Sequence, residues 1–451
     1  LNVQYLLMLS TLPTWPRVMW PLVSLVWCLW VPINGQCQDS VAPLSASDSD
    51  PRVMGWMQGF PPEPERRITQ PFTQFWPFPK LRWSVCHMRE LLPTAAVRRH
   101  IQYVTPLPEA LDLTLEQLPV PELATSDTVP LRRLLDVTYT DGLLVLHKGK
   151  IVYEYYNGCL DASGEHATMS LTKSVLGLLI ETLIAEGALD DQEPISRWIP
   201  ELKASAFAGA SLRDALNMTT AIAFDEDYSN PNSDLWRYAR ATDSLPKPAD
   251  YSGVTGNLEF LTTLKNTSGR HGQQFHYSTL NSDVLGWVAS RATNNSAAEL
   301  FSERIWQPIG AQQDAALKVD AYGIGHVGGG LQANMRDLGR LGLAVLERGR
   351  STETSALSAA ARTILLGSDN TVSVTGPNAA FWRGYQSFWW YRGEGSSVIA
   401  ARGVHGQILY IDPEADMVLV RLASSPDASN TKTDPTMVPV YEAIAAYLNG
   451  Q

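Results

Sequence analysis

Residues Ser170–Glu186 read SLTKSVLGLLIETLIAE, and the arrangement of the whole chain turns on this stretch. Leu171, Val175, Leu178, Leu179, Leu183 and Ile184 are apolar, Glu181 is the only acidic residue before Glu186, and Gly187 ends the run. The spacing predicts a helix, and a helix apolar on nearly all sides is a buried one. Ser170 and Lys173 open it at i, i+3 and so share one face. A serine hydroxyl becomes a nucleophile only when a nearby base takes its proton. An ammonium in a dry cleft has its charged form disfavoured, which suits Lys173 to that task. The helix N-terminus adds free N–H groups and a dipole that favour a developing oxyanion. A serine cap followed by a surface lysine is the plain structural alternative, but a surface lysine is out of place on so apolar a helix.

The Ser-x-x-Lys pattern alone means little, because it occurs three times. Ser244–Lys247 contains Pro246 and sits in a polar loop, and Ser429–Lys432 precedes another loop. Two further segments strengthen the choice of Ser170. In FHYSTLNSDVLGWV, Tyr277 precedes an amphipathic stretch about a hundred residues after the serine. A tyrosine close to a lysine can share its proton and deliver it to a leaving group, although a buried tyrosine with a satisfied hydroxyl is the commoner case. In Gly403-Val404-His405-Gly406-Gln407, small residues enter the strand QILYID. Such residues let a substrate approach the backbone, where an N–H completes an oxyanion hole. An ordinary glycine bend before an edge strand would look the same.

Gly323–Gly328 matches GxGxxG literally, but the preceding KVDAY is short and polar where a dinucleotide site needs a buried strand. There is no GxSxG elbow. HExxH and CxxC are also absent, so a metal hydrolase is a poor reading and no metal or organic cofactor is implied. The four cysteines, Cys28, Cys37, Cys86 and Cys159, are too scattered to read as a disulfide framework. With 45% hydrophobic and 18% charged residues, the 451-residue chain has a substantial core, and a net charge of -11 argues against a nucleic-acid partner.

Residues 1–40 form an apolar N-terminal segment: Arg17 precedes an uncharged run to Asp39 that resembles a signal peptide or anchor, or an upstream extension. Export, or membrane attachment through a retained anchor, follows if that signal is real; otherwise the chain is cytoplasmic. Residues 41–135 are rich in proline and aromatics and read as an extended wrap, with one short helical stretch near His87–Leu92. Residues 136–451 read as the catalytic domain. GLLVLH and IVYEYY form a hairpin, helices dominate a lobe over about 188–330, and SFWWYR, QILYID and MVLVRLAS return to strands before a final helix. The fold class is therefore α+β, an antiparallel sheet flanked by helices with an inserted, mostly helical lobe and a cleft between.

The segments MSLTKSV, HYSTLNSDVLGWV and GVHGQILYIDP resemble the three motif regions of the serine β-lactamase and penicillin-binding superfamily. RWSVCHMRELLPTA, LNMTTAIAFDEDYSNPNSD and GHVGGGLQANMRDLGRLGLAVLERGR resemble its 6-aminohexanoate-dimer hydrolase branch, and the likeness runs from about Arg52 to Leu448. The resemblance implies a β-lactamase-like fold and an acyl-enzyme route to cleavage of a small linear amide or ester. Ser170 would be the nucleophile, Lys173 its base and Tyr277 the proton shuttle. The backbone near Gly406 and Gln407 would contribute to the oxyanion hole with the Ser170 N–H, and Tyr228 would lie near the substrate. Two departures narrow the function. The usual Tyr-x-Asn is Tyr277-Ser278-Thr279 here, with Asn281 two places on as a candidate substrate contact, and the usual Lys-Thr-Gly is His405-Gly406-Gln407. Losing that lysine removes a fixed cation for a β-lactam carboxylate, so efficient β-lactamase or DD-peptidase activity is not expected. His405 would bind a carboxylate only if protonated. The rivals are a carboxylesterase with little amidase activity, a cell-wall enzyme or β-lactamase, and a non-catalytic sensor on the same scaffold.

Overall fold

The segments rich in β-branched and aromatic residues pair into one large sheet. In the computed structural model, residues 42–450 are described except 71, 123–126, 228, 229, 231, 369, 370 and 394. Strands β1 (Thr140–His147) and β2 (Lys150–Tyr156) make the expected hairpin. They are joined by β3 (Val372–Ser373), β4 (Gly384–Gln386), β5 (Trp389–Gly393), β6 (Ser396–Gly403), β7 (Gln407–Asp412) and β8 (Met417–Ala423). The order across the sheet is β2-β1-β8-β7-β6-β5-β4-β3, antiparallel throughout.

The central strands β1 and β8 are buried along almost their whole length, so both faces of the sheet must be covered. Helix α5 (Met335–Arg350) lies on one face, where Gly339 and Gly342 let its backbone approach Leu144, Leu146, Leu409 and Val418. Helix α7 (Asp434–Asn449) covers the other, with the Tyr441 ring 5.5 Å from that of Tyr410, the neighbour of Leu409 that points the opposite way. Helix α1 (Leu171–Ala185) packs between β6, β7 and α6 (Ala356–Leu366). Every residue of α1 from Leu171 to Leu183 is buried, as its composition demands. Its one buried acid, Glu181, is matched by Arg213 at 2.6 Å and by the Ser387 hydroxyl, and Arg213 also pairs with Asp191. The lobe expected over 188–330 carries short helices and the longer α2 (Asp234–Ala241), α3 (Asn257–Thr263) and α4 (Leu280–Thr293).

A small second sheet sets the start of α1. Its strands are Thr94–Val97, Ala315–Lys318, Leu331–Asn334 and Glu165–Ala167, in that spatial order, and the last runs directly toward Ser170. The proline-rich wrap packs a satellite core of Ile68, Phe75, Leu81, Trp83 and Val85 onto Ala167 and Met169. Cys86 and Cys159 are disulfide-bonded across 73 positions, a single bridge where the scattered cysteines did not read as a framework. The wrap brings Val85 onto Ala167, whose N–H it accepts at 2.7 Å, and so places Cys86 over the loop after β2, a proximity that spacing does not reveal. The apolar segment 1–40 lies outside the described residues, apart from which no helix is long and apolar enough to cross a membrane.

Gly177, midway along α1, shows how tightly the helix is held. A Cβ there would lie 1.9 Å from the Ser387 carbonyl oxygen. Alanine in a helix interior normally gains about 1 kcal/mol over glycine. Gly177→Ala should instead cost at least about 2–3 kcal/mol through overpacking, read as a lower urea midpoint. A midpoint at or above that of the parent chain would contradict this packing.

Candidate active site

Ser170 is the residue just before the first turn of α1, with Met169 beside it in the left-handed region at φ 51°. That turn is held from below: the Thr172 hydroxyl donates to Met169 O at 2.7 Å, and Thr168 N–H donates to Leu331 O at 3.0 Å. Lys173, buried, donates from Nζ to Ser170 Oγ at 3.0 Å and to the Gly328 carbonyl at 2.5 Å. Gly328 is the last glycine of the GxGxxG match. Its loop joins the antiparallel strands Ala315–Lys318 and Leu331–Asn334, so the βαβ context of a dinucleotide site is missing.

Tyr277 completes the group. Lys173 Nζ lies 5.3 Å from its ring centroid, and the ring stacks on Trp390 at 5.9 Å. Its neighbours anchor it: His276 N–H donates to Met218 O at 2.7 Å, and Glu226 accepts both the N–H and the hydroxyl of Thr279 at 2.6 Å. Ser170 and Tyr277 line a cavity of about 800 Å³ together with Glu226, Asp227, Trp390, Arg402, Gly403 and Val404.

The other expected residues fall differently. Asn281 is fully buried, donating to Met218 Sδ and accepting from the Thr220 hydroxyl, so it braces the Tyr277 turn instead of facing the cavity. Tyr228 lies outside the described residues. Gly406 and Gln407, expected to contribute to an oxyanion hole, are engaged elsewhere. Gly406 N–H donates to Asn430 Oδ1 at 3.2 Å, and the Gln407 side chain exchanges two hydrogen bonds with the Ala423 backbone. Gly403, at the exit of β6, is the glycine against Ser170, since a Cβ on it would lie 2.5 Å from Thr168 O and 3.0 Å from Ser170 N. Val404 then opens the tight turn Val404–Gly406. Its N–H and that of Ser170 both stand ahead of any acceptor in their own turns. Two glycines three apart made the register ambiguous, and the small-residue strand IAARG was the available signal for the right one.

His405 is buried with φ 64°, edge-on to Trp76, and its Nδ1–H donates to Ser425 O at 2.7 Å. Burial pushes its pKa down to about 4, so it is neutral near pH 7 and is no carboxylate anchor. The two other Ser-x-x-Lys matches also resolve. Lys247 pairs with Asp243 at 2.6 Å, whereas Ser429 and Lys432 lie on the cavity rim, with Lys432 3.6 Å from Asp427. Among the described residues no three His, Cys, Asp or Glu side chains converge as a metal would require.

The His405 environment sets a pH dependence of stability. The unfolded imidazole titrates near its ordinary 6.5 and the folded one near 4, so the unfolded chain takes up this proton first. Stability should therefore fall as pH drops from about 6.5 to about 4. His405→Asn, which tolerates positive φ, should remove up to one proton from that slope in urea titrations. An unchanged slope would show that His405 is not the group responsible.

A family model for beta-lactamase matches residues 138–438. A 6-aminohexanoate-dimer hydrolase of Paenarthrobacter ureafaciens is 34% identical over 360 residues, covering 77% of this chain and 86% of its own. A Bacillus anthracis structure assigned as a 6-aminohexanoate-dimer hydrolase is 28% identical with a TM-score of 0.77, covering 86% of this chain and 99% of the other. A Bacteroides dorei structure assigned as a beta-lactamase shares the fold at 19% identity and a TM-score of 0.53, over 69% of this chain and 96% of that one.

Proposed function

The chain belongs to the beta-lactamase family and is a serine hydrolase of amide or ester bonds, and from that premise we propose which residues carry the reaction and on what substrate. Ser170 attacks the carbonyl carbon while Lys173 takes the hydroxyl proton. Tyr277, against the same ammonium, passes a proton to the leaving nitrogen or oxygen. The N–H groups of Ser170 and Val404 receive the oxyanion. Water then attacks the acyl-serine with the proton path reversed, which frees the acid and restores Ser170. The observation that carries this reading is the 3.0 Å contact between Lys173 Nζ and Ser170 Oγ on the wall of the cavity that Tyr277 shares.

The substrate we infer is a small linear amide. The 34% identical relative is a 6-aminohexanoate-dimer hydrolase. Intact-mass measurement with a fluorophosphonate should show one adduct on the parent chain and none on Ser170→Ala; an adduct on the variant would refute the assignment. Lys173→Ala and Tyr277→Phe should each lower kcat/KM by roughly 10²–10⁴. Comparing kcat/KM on the 6-aminohexanoate dimer with that on a short p-nitrophenyl ester decides the chemistry. Turnover of the ester alone would identify a carboxylesterase.

We further propose that the chain works in an oxidising compartment. The disulfide supports this, because such bonds persist outside the reducing cytosol, as does the signal-like sequence before Asp39. Cys159→Ser should cost about 2–5 kcal/mol in urea unfolding, and reductant should have the same effect on the parent chain. Equal midpoints with and without reductant would count against it.

A further inference from the structure

Behind the Ser170–Lys173 pair lies a set of buried ionisable side chains that the proposed reaction does not use. Asp283, in the first turn of α4, is wholly buried and accepts the Tyr238 hydroxyl at Oδ2 over 2.5 Å. The Tyr238 oxygen lies 3.2 Å from Nδ1 of His326. A tyrosine hydroxyl has one proton, so with that proton given to Asp283 it is His326 Nδ1–H that donates to Tyr238. His326 in turn fixes a loop by its backbone: its N–H donates to Lys318 O, and its carbonyl accepts from Gly330 N–H, both at 2.8 Å. Inside that loop is Gly328, whose carbonyl receives the Lys173 ammonium. The loop has no slack against α4, since a Cβ on Gly328 would lie 2.5 Å from Thr279 Cγ2 and 2.8 Å from Ser282 Oγ.

The groups facing Asp283 come from every side. They are Tyr238 on α2, Asn257 on α3, Lys173 on α1, Glu226 from the loop before α2, and Lys318 from the neighbouring strand. Burial pushes the Asp283 pKa up to about 6; the bond from Tyr238, the neighbouring Asn257 and the Lys173 charge oppose this, and Glu226 adds to it. Burial, aided by the charges of Lys318 and Lys173, holds His326 well below its ordinary range and therefore neutral. Oδ1 of Asp283 has no hydrogen-bond partner among the described residues, and it lines a small chamber of about 110 Å³. The hydrogen-bond chain accordingly has two polarities. With Asp283 ionised, the protons point from His326 through Tyr238 to the carboxylate. With Asp283 protonated, the carboxyl can donate to Tyr238, which then donates to His326.

We propose that Asp283 is a positioning residue for the reaction, holding the Gly328 carbonyl against Lys173 through Tyr238 and His326 and coupling its own charge to the proton that Lys173 exchanges with Ser170. The proposal rests on Lys173 being the base. An anion behind an ammonium favours the protonated lysine, whereas the base must be neutral to take the serine proton.

The test is the pH dependence of kcat/KM on a p-nitrophenyl ester, with fluorophosphonate adduct formation measured alongside. Asp283→Asn keeps the shape and removes the charge. It should move the acid limb about 0.5–1 unit toward lower pH while KM stays within about twofold. Tyr238→Phe cuts the chain but keeps the acid. It should lower kcat about tenfold with KM unchanged, and the double variant should be no worse than the more impaired single one, because residues acting as one unit are not additive. A purely structural role would lower the melting temperature and leave the acid limb in place. Acid limbs coinciding with that of the parent in both single variants would overturn the proposal while leaving the Ser170 mechanism intact. If Asp283→Asn does not fold, the kcat-against-KM split of Tyr238→Phe decides alone. An adduct persisting on Ser170→Ala would instead overturn the mechanism, and this proposal with it.

Discussion

A helix that is apolar on every side has no place except the interior, and it carries the polar residues at its start inside with it. This constraint orders the rest of the molecule. An ammonium in such a place is tolerated only with partners, because a buried unpaired charge costs several kcal/mol. Lys173 finds the Gly328 carbonyl and the Ser170 hydroxyl, and the single acid of α1 finds Arg213. Gly328 and Arg213 arrive from different parts of the chain. The small sheet, the helical lobe and the strand pair β6–β7 are therefore placed by what the start of α1 needs.

Some of the backbone's unusual conformations stand around the site. Met169 beside Ser170, Met218 beneath the Tyr277 turn and His405 just after Gly403 and Val404 all have positive φ without being glycine. Such conformations cost on the order of 1–3 kcal/mol each and persist only where packing over-determines them. Here it does. Met169 is pressed by the aromatic wrap, Met218 takes hydrogen bonds at its carbonyl and its sulfur, and His405 is held by Ser425, Trp76 and Ala428. The wrap thus backs the backbone beside Ser170 and His405, although its sequence shows no periodicity.

What could be read from sequence was whatever a local pattern carries. The period of α1 and the β-branched runs of β1, β2, β7 and β8 gave the elements, and Ser170, Lys173 and Tyr277 stood out because they sit at the ends of such elements. The errors have a common physical origin. Cys86–Cys159, the Gly328 carbonyl and the choice of Gly403 over Gly406 all depend on contacts between distant segments, which no window along the chain contains. Asn281 was misplaced because helix phase near its first turn is set by Met218 and Thr220, sixty residues upstream. The GxGxxG match lacks the context of a dinucleotide site, yet the carbonyl of its last glycine receives Lys173.

The separations in these contacts bear on how the protein comes into being. Lys173 meets its carbonyl 155 positions later, Thr168 bonds to Leu331 across 163, and Ser170 abuts a glycine still further along. Contacts this remote are slow to form, because a long stretch of chain must be brought back before any of them repays its ordering. During synthesis, Ser170 emerges well before Gly328 and Gly403, which pack around it and Lys173. A ribosome-bound chain that has reached only the helical lobe has Ser170 and Lys173 without the β6 strand beside them. The surroundings of Ser170 are thus complete only once nearly the whole protein has been made.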